Sequence, residues 1–184
     1  MCIRDSGYSL NYLLERLDGV EKELWDNLTF NYTEPQGLPQ LRARIAKQYQ
    51  TIEPEDVIVL SPGEANFTFM NIVLEKGDHI ICMAPAYQSL YQVAISLGCS
   101  ISFWEPAKTT WKFQLADLKA LVNEKTKALI VNFPHNPTGY IPTKTELYEL
   151  ADFAREHQLK VWSDEIYHEL VYEEKDAIPA FCDI

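Results

Sequence analysis

Long hydrophobic runs are missing from this sequence. Apolar stretches such as residues 57–60 and 128–131 fall far short of the roughly 18 residues that a membrane-crossing helix requires, so no transmembrane segment is expected. Positive charge is scarce: 16 Lys and Arg stand against 27 Asp and Glu, a formal net charge of −11 over 184 residues. Most of such a surface repels a polyphosphate backbone, so no nucleic-acid partner is expected. Cysteine is sparse too. Cys2, Cys82, Cys99 and Cys182 form no CxxC pair and no cluster with His, which argues against a zinc site and a disulfide framework alike. Cys82 and Cys99 lie in apolar segments and read as inert core thiols. The opening MCIRDSGYSL places Arg4 and Asp5 where a secretory signal needs an uninterrupted apolar core. A cytoplasmic location is the simplest expectation, and MCIRDS reads as a cloning or assembly scar.

The composition that remains is globular, 47% hydrophobic and 23% charged, with enough apolar side chains for one soluble domain. There is no internal repeat or low-complexity tract. Leu10, Leu13, Leu14 and Leu17 recur at helical spacing before Gly19 and predict an amphipathic helix. Pro39 opens a second, with Leu41, Ile45 and Tyr49 on one face. From residue 57 onward, short runs of strand character alternate with helical patterns. The runs are VIVL (57–60), HIICM (79–83), SISFW (100–104), ALIVNF (128–133) and KVWSD (160–164). Most are apolar on both faces, as strands covered on both sides are. Helices are predicted at 64–75, 87–97, 114–123 and 144–157, the last opened by a Thr143 and Glu146 capping box. Alternation of this kind implies right-handed crossovers and a mostly parallel sheet, an α/β fold. Ligands of such sheets lie beyond the C-terminal strand ends.

Those ends carry the informative residues. After 57–60 comes SPGEAN, a turn opening into a helix, where Gly63 permits close backbone approach and the amides of Gly63, Glu64 and Ala65 suit a phosphate. A plain strand-to-helix turn carries the same glycine. After 79–83, Tyr87 offers a ring for stacking or for packing on a loop. After 128–133, PHNPTG carries the Asn136 carboxamide, a donor to an oxygen anion. His135 beside it reads as a loop residue rather than an acid or base. After KVW comes SDEIY, in which Asp164 ends a buried strand and calls for a cation or a protonated ring nitrogen, although a helix N-cap would use it too. A phosphate cradle, a stacking ring, an oxygen-directed amide and an acid with a phenol, Tyr167, are the contacts a pyridoxal phosphate ring requires.

This series, with NPTG at 136–139 and SDEIY at 163–167, resembles the class I/II aminotransferases of the fold-type-I pyridoxal-phosphate enzymes over nearly the whole chain from about Tyr32. The resemblance implies a doubly wound, mostly parallel sheet with helices on both faces, a three-layer α/β/α large domain over 32–184 preceded by a segment at 1–31. It also implies that Gly63, Glu64 and Ala65 hold the phosphate, Tyr87 stacks on the pyridine, Asn136 and Tyr167 reach the phenolic oxygen, and Asp164 pairs with the pyridinium nitrogen. A carboxylate there keeps that nitrogen protonated and the ring an electron sink. Tyr32, in NYTEPQGLPQLR, is similar to a tyrosine that reaches across a homodimer to the neighbouring cofactor phosphate. The Asn136–Pro137 bond is expected to be cis.

The sequence departs from the family in three respects. The Schiff-base lysine, expected some dozens of residues beyond Asp164, is not found, since the sequence stops at Ile184 and Lys175 sits in the acidic, exposed-looking stretch EEKDAIP. The carboxylate-binding arginine and the small C-terminal domain are also missing, so a fragment is expected, inactive by itself. PAYQSLY differs from the commoner spacing and resembles a branch acting on arginine-derived substrates. Besides transamination between an amino acid and a 2-oxo acid, the resemblance therefore leaves open cyclisation, elimination or oxidation of an arginine-like amino acid, and a non-catalytic aminotransferase-like sensor domain.

Overall fold

The computed structural model describes residues 7–184, and the chain divides into two units, Met1–Pro35 and Gln36–Ile184. Cys2, Arg4 and Asp5 lie outside the described residues. In the first unit, α1 (Leu10–Leu14) starts under a Ser9 cap, the Tyr12 amide donating to Ser9 Oγ at 3.1 Å. The expected helix does not continue to Gly19. Asp18 and Glu21 instead form a capping box that makes Gly19 the first residue of α2 (Gly19–Asp26), because an Asp followed three residues later by Glu satisfies the first free amides of a helix. Neither helix buries a residue.

The second unit is built on four parallel strands, β1 (His79–Met83), β2 (Ser100–Trp104), β3 (Thr126–Asn132) and β4 (Lys160–Asp164), in spatial order β2-β1-β3-β4. The chain runs from β1 outward to β2, then returns past β1 to β3 and β4, so the direction of winding reverses between β1 and β3. The two central strands are buried almost throughout. Their side chains alternate between two cores, as the pleat demands. Ile80, Cys82, Ala128 and Ile130 pack against Met70 and Leu74, from α4 (Pro62–Val73) and its C-terminal end, and Ala94 of α5 (Gln92–Ser96). Ile81, Met83, Leu129 and Val131 face Leu118 of α6 (Leu115–Lys119) and Leu147 and Leu150 of α7 (Lys144–Glu156). Helices thus cover both faces.

Residues 57–60 are not a strand. Val57 is buried, but Ile58, Val59 and Leu60 are 57%, 37% and 36% exposed, and no strand among the described residues runs beside them. The Val59 amide donates to the Gln36 carbonyl at 2.9 Å instead. The helix expected at 87–97 is split into a 3-10 turn at Gln88–Leu90 and the short α5, with Tyr91 at φ −142° between them. The helix at 114–123 shrinks to α6, and α3 (Pro39–Ala46) ends before Tyr49 and leaves Leu41 exposed. Cys82 is buried, with burial pushing its thiol up to about 12, whereas Cys99 is only half-buried, its thiol donating to the Glu75 carbonyl at 3.3 Å.

Candidate active site

The C-terminal ends of β1, β3 and β4 are brought level by strand pairing, with Cys82 opposite Ile130 and Asn132 opposite Asp164. The loops that leave these ends carry Tyr87, Asn136 and Tyr167. Asn132, the last residue of β3, is buried and organises two of them. Its Nδ2 donates to the Asp164 carbonyl at 2.8 Å, and its Oδ1 accepts the Asn136 amide at 2.8 Å. A polar side chain at the end of an apolar strand must find such partners or pay for its desolvation. Asn136 is held so that its Nδ2 donates to the Tyr167 hydroxyl at 3.5 Å. The Asn136–Pro137 bond is cis, as expected, and so are Ala84–Pro85 and Phe133–Pro134. The Asp164 carboxylate is partly exposed, and its Oδ1 accepts the Ile166 amide at 3.2 Å in the manner of a local cap.

The loop after 57–60 reaches the same edge. Asn66, in the second turn of α4, accepts from Trp162 Nε1 of β4 and donates to Ser89 Oγ in the loop of Tyr87, both at 2.9 Å. The Ala65 amide, expected to be free, donates to the Ser61 carbonyl at 2.9 Å, because Ser61 is the N-cap and Ala65 already closes the first helical turn. Gly63 and Glu64 lie ahead of that bond and have no partner within the helix. The Ser61 side chain makes no capping hydrogen bond. Acceptors for these two amides are therefore left to a ligand or to solvent.

His135 lies in the loop after β3, as expected, and is buried there. Its Nε2 must carry the proton, because it lies 3.1 Å from the Pro85 carbonyl, which only accepts; its Nδ1, 2.7 Å from Thr138 Oγ1, then accepts. The imidazole ties the β1 loop to the β3 loop across the point where the winding reverses, and burial lowers its pKa against the opposing pull of the Pro85 bond. Tyr87 is 59% exposed. Tyr32, in the other unit, is fully exposed. Lys175 lies on the acidic surface stretch, paired with Glu173 at 2.6 Å. Asn132, Asn66 and the burial of His135 escaped the sequence reading. The only signal for Asn132 was one carboxamide ending an apolar run, and Asn66 differs from an exposed helix residue only through partners distant in sequence.

A doubly wound parallel sheet that reverses between β1 and β3, with polar loops gathered beyond the strand ends there, defines the class of protein: an α/β large domain of the kind that binds its ligand at the switch point. The profile described as "Aminotransferase class I and II" matches residues 13–183, and the chain belongs to that family. It is 35% identical over 162 residues to an aspartate aminotransferase of Pyrococcus abyssi, covering 83% of this chain and 41% of that protein. Among solved structures it resembles a pyridoxal-phosphate-dependent aminotransferase from Streptococcus suis (TM-score 0.86, 27% identity, covering 97% of this chain and 48% of that one). It also resembles an aromatic aminotransferase from Pyrococcus horikoshii (TM-score 0.81, 29% identity, 89% and 46%). The chain spans less than half the length of these relatives.

Proposed function

We propose that this chain is the pyridoxal-phosphate-binding part of an aminotransferase that moves an amino group between an amino acid and a 2-oxo acid. The observation that carries the reading is the Asn136–Tyr167 hydrogen bond beside Asp164, at the edge where α4 offers the amides of Gly63 and Glu64. The residues fit the cofactor. The two amides and the helix dipole suit a phosphate, and a Cβ at Gly63 would meet nothing within 4 Å, so approach to the turn is open. The Asn136 amide and Tyr167 hydroxyl suit the phenolic oxygen, Tyr87 offers a ring face, and the Asp164 carboxylate suits a protonated pyridine nitrogen. When bound, the cofactor supplies an electron sink for charge at the substrate's α-carbon. This chain's own part is to anchor the phosphate, orient the ring and hold the proton on its nitrogen through Asp164. The alternative chemistries and the sensor reading draw no support from the relatives. We place the whole protein in the cytoplasm as a homodimer, in which the exposed Tyr32 meets the cofactor phosphate of a second copy; no helix among the described residues is long and apolar enough to cross a membrane.

Titration with pyridoxal 5'-phosphate, followed by visible circular dichroism, tests the reading. Saturable binding is expected, weakened in Asp164→Ala and in Asn136→Ala. Borohydride reduction and peptide mapping should leave Lys175 unlabelled. Absence of saturable binding, or binding indifferent to both substitutions, overturns the assignment.

A further inference from the structure

We propose that Asn66 is a positioning residue that fixes the anion-binding turn at a set distance from the ring-binding side chains, an inference that rests on the pyridoxal phosphate reading. Three separate segments meet at its carboxamide. Asn66 belongs to α4, two residues beyond Glu64; Ser89 lies two residues beyond Tyr87; Trp162 lies two residues before Asp164. The carboxamide donates to Ser89 Oγ and accepts from Trp162 Nε1, both at 2.9 Å, and is 8% exposed. Trp162 is further held by stacking on Phe69 of the same helix, ring centroids 4.3 Å apart and 26° between planes.

A ligand with a phosphate at one end and a ring nitrogen at the other must be met by both contacts at once, and binding is strong only when they are pre-spaced. Those contacts sit on different elements with no covalent tie shorter than most of the sheet. The Asn66 bridge is the polar tie that joins the turn to both of the others. Its location in a buried site makes each bond directional and leaves the remaining partner unsatisfied when one is removed. Asn66 touches none of the candidate ligand groups; it acts through the segments it joins.

The test compares the unaltered chain with Asn66→Leu, which removes both bonds and keeps the branched shape at Cγ, and with Trp162→Phe, which keeps an aromatic ring beside Phe69 and removes the indole donor. Affinity for pyridoxal 5'-phosphate is read by visible circular dichroism, affinity for inorganic phosphate by ³¹P line broadening, and stability by thermal unfolding. Loss of the bridge is expected to weaken pyridoxal 5'-phosphate binding about tenfold in Asn66→Leu and about threefold in Trp162→Phe, as one to two lost buried hydrogen bonds would. Inorganic phosphate, which needs only the turn, should bind all three proteins equally. Unchanged pyridoxal 5'-phosphate affinity in both variants overturns the inference alone. So does a parallel fall of both affinities with the unfolding temperature, which marks a purely structural role. Trp162→Phe decides the matter if Asn66→Leu does not fold. Absence of pyridoxal 5'-phosphate binding in the unaltered chain overturns the cofactor reading and this inference with it.

Discussion

At Gly37 the backbone φ is +100°, and a Cβ there would meet Val59 Cβ and Cγ2 at 2.7 Å. At Gly63, by contrast, a Cβ would meet nothing within 4 Å. The two glycines therefore answer to different demands, one internal and one directed outward. Gly37→Ala is expected to cost about 1–3 kcal/mol, from backbone strain plus the clash, read as a fall in the urea midpoint at unchanged slope. Gly63→Ala should not lower that midpoint, since Ala fits the open helical position, and should weaken pyridoxal 5'-phosphate binding; an unchanged affinity would show that the ligand does not approach the turn. Two imidazoles add a pH dependence. His79 is buried at the start of β1 between Thr126 Oγ1 at 2.8 Å and Ser102 Oγ at 2.9 Å, with no charged side chain among those partners, and burial lowers its pKa as it lowers that of His135. The unfolded chain then binds protons that the folded chain refuses once the pH falls below the ordinary imidazole value of about 6.5. Stability is therefore complete above that value and declines as pH falls toward the depressed folded values. Thermal unfolding between pH 8 and pH 5 measures the decline, and ¹H NMR should find both rings titrating below the ordinary imidazole value. Asp164, Asn136 and Tyr167 were legible in the sequence as strand-end polar residues. Asn66 was not, because its partners Ser89 and Trp162 are 23 and 96 residues away.

At the scale of elements, cooperation between cap and face decides what can be read. The α7 start was legible because Thr143 and Glu146 carry the whole signal within four residues, and the structure contains all of it. The Thr143 amide donates to Glu146 Oε2 at 2.7 Å, and the Glu146 amide donates to Thr143 Oγ1 at 3.2 Å. Thr143→Ala should cost about 1 kcal/mol in urea unfolding; a loss near zero would mean that packing of Leu147 and Leu150 alone holds the helix end. HIICM, SISFW and KVWSD became β1, β2 and β4 with the boundaries expected, since their apolar content matches the cover they receive. VIVL is at least as apolar but has no neighbouring strand among the described residues, and a β-strand exists only as one side of a ladder. Its residues stay extended and half-exposed. The short α2 was missed for the opposite reason: no buried face marks it, and the Asp18 and Glu21 cap is its main signature.

Across the whole molecule, protection is graded by position in the sheet. β1 and β3 lie at its centre, paired on both sides and covered by helices on both faces, with Ile80, Ile81, Ala128, Leu129, Ile130 and Val131 at zero exposure. Among the described residues β2 and β4 are paired on one side only, and their side chains are mostly only half-buried. α1 and α2 bury no residue at all. Opening of a backbone amide costs little where few apolar contacts break and approaches the global unfolding free energy where the core must come apart. Hydrogen exchange read by mass spectrometry should therefore rank the amides of β1 and β3 slowest, those of β2 and β4 intermediate, and those of α1 and α2 fastest. The Asn136 amide should exchange with the slower group although it lies in a loop, because its acceptor, Asn132 Oδ1, belongs to a buried side chain that is itself held on the Asp164 carbonyl of β4. Rapid exchange at Asn136 in an otherwise protected sheet would mean that the loop opens independently of the strands. The Asn136–Tyr167 contact would then have to be assembled by the ligand rather than offered to it.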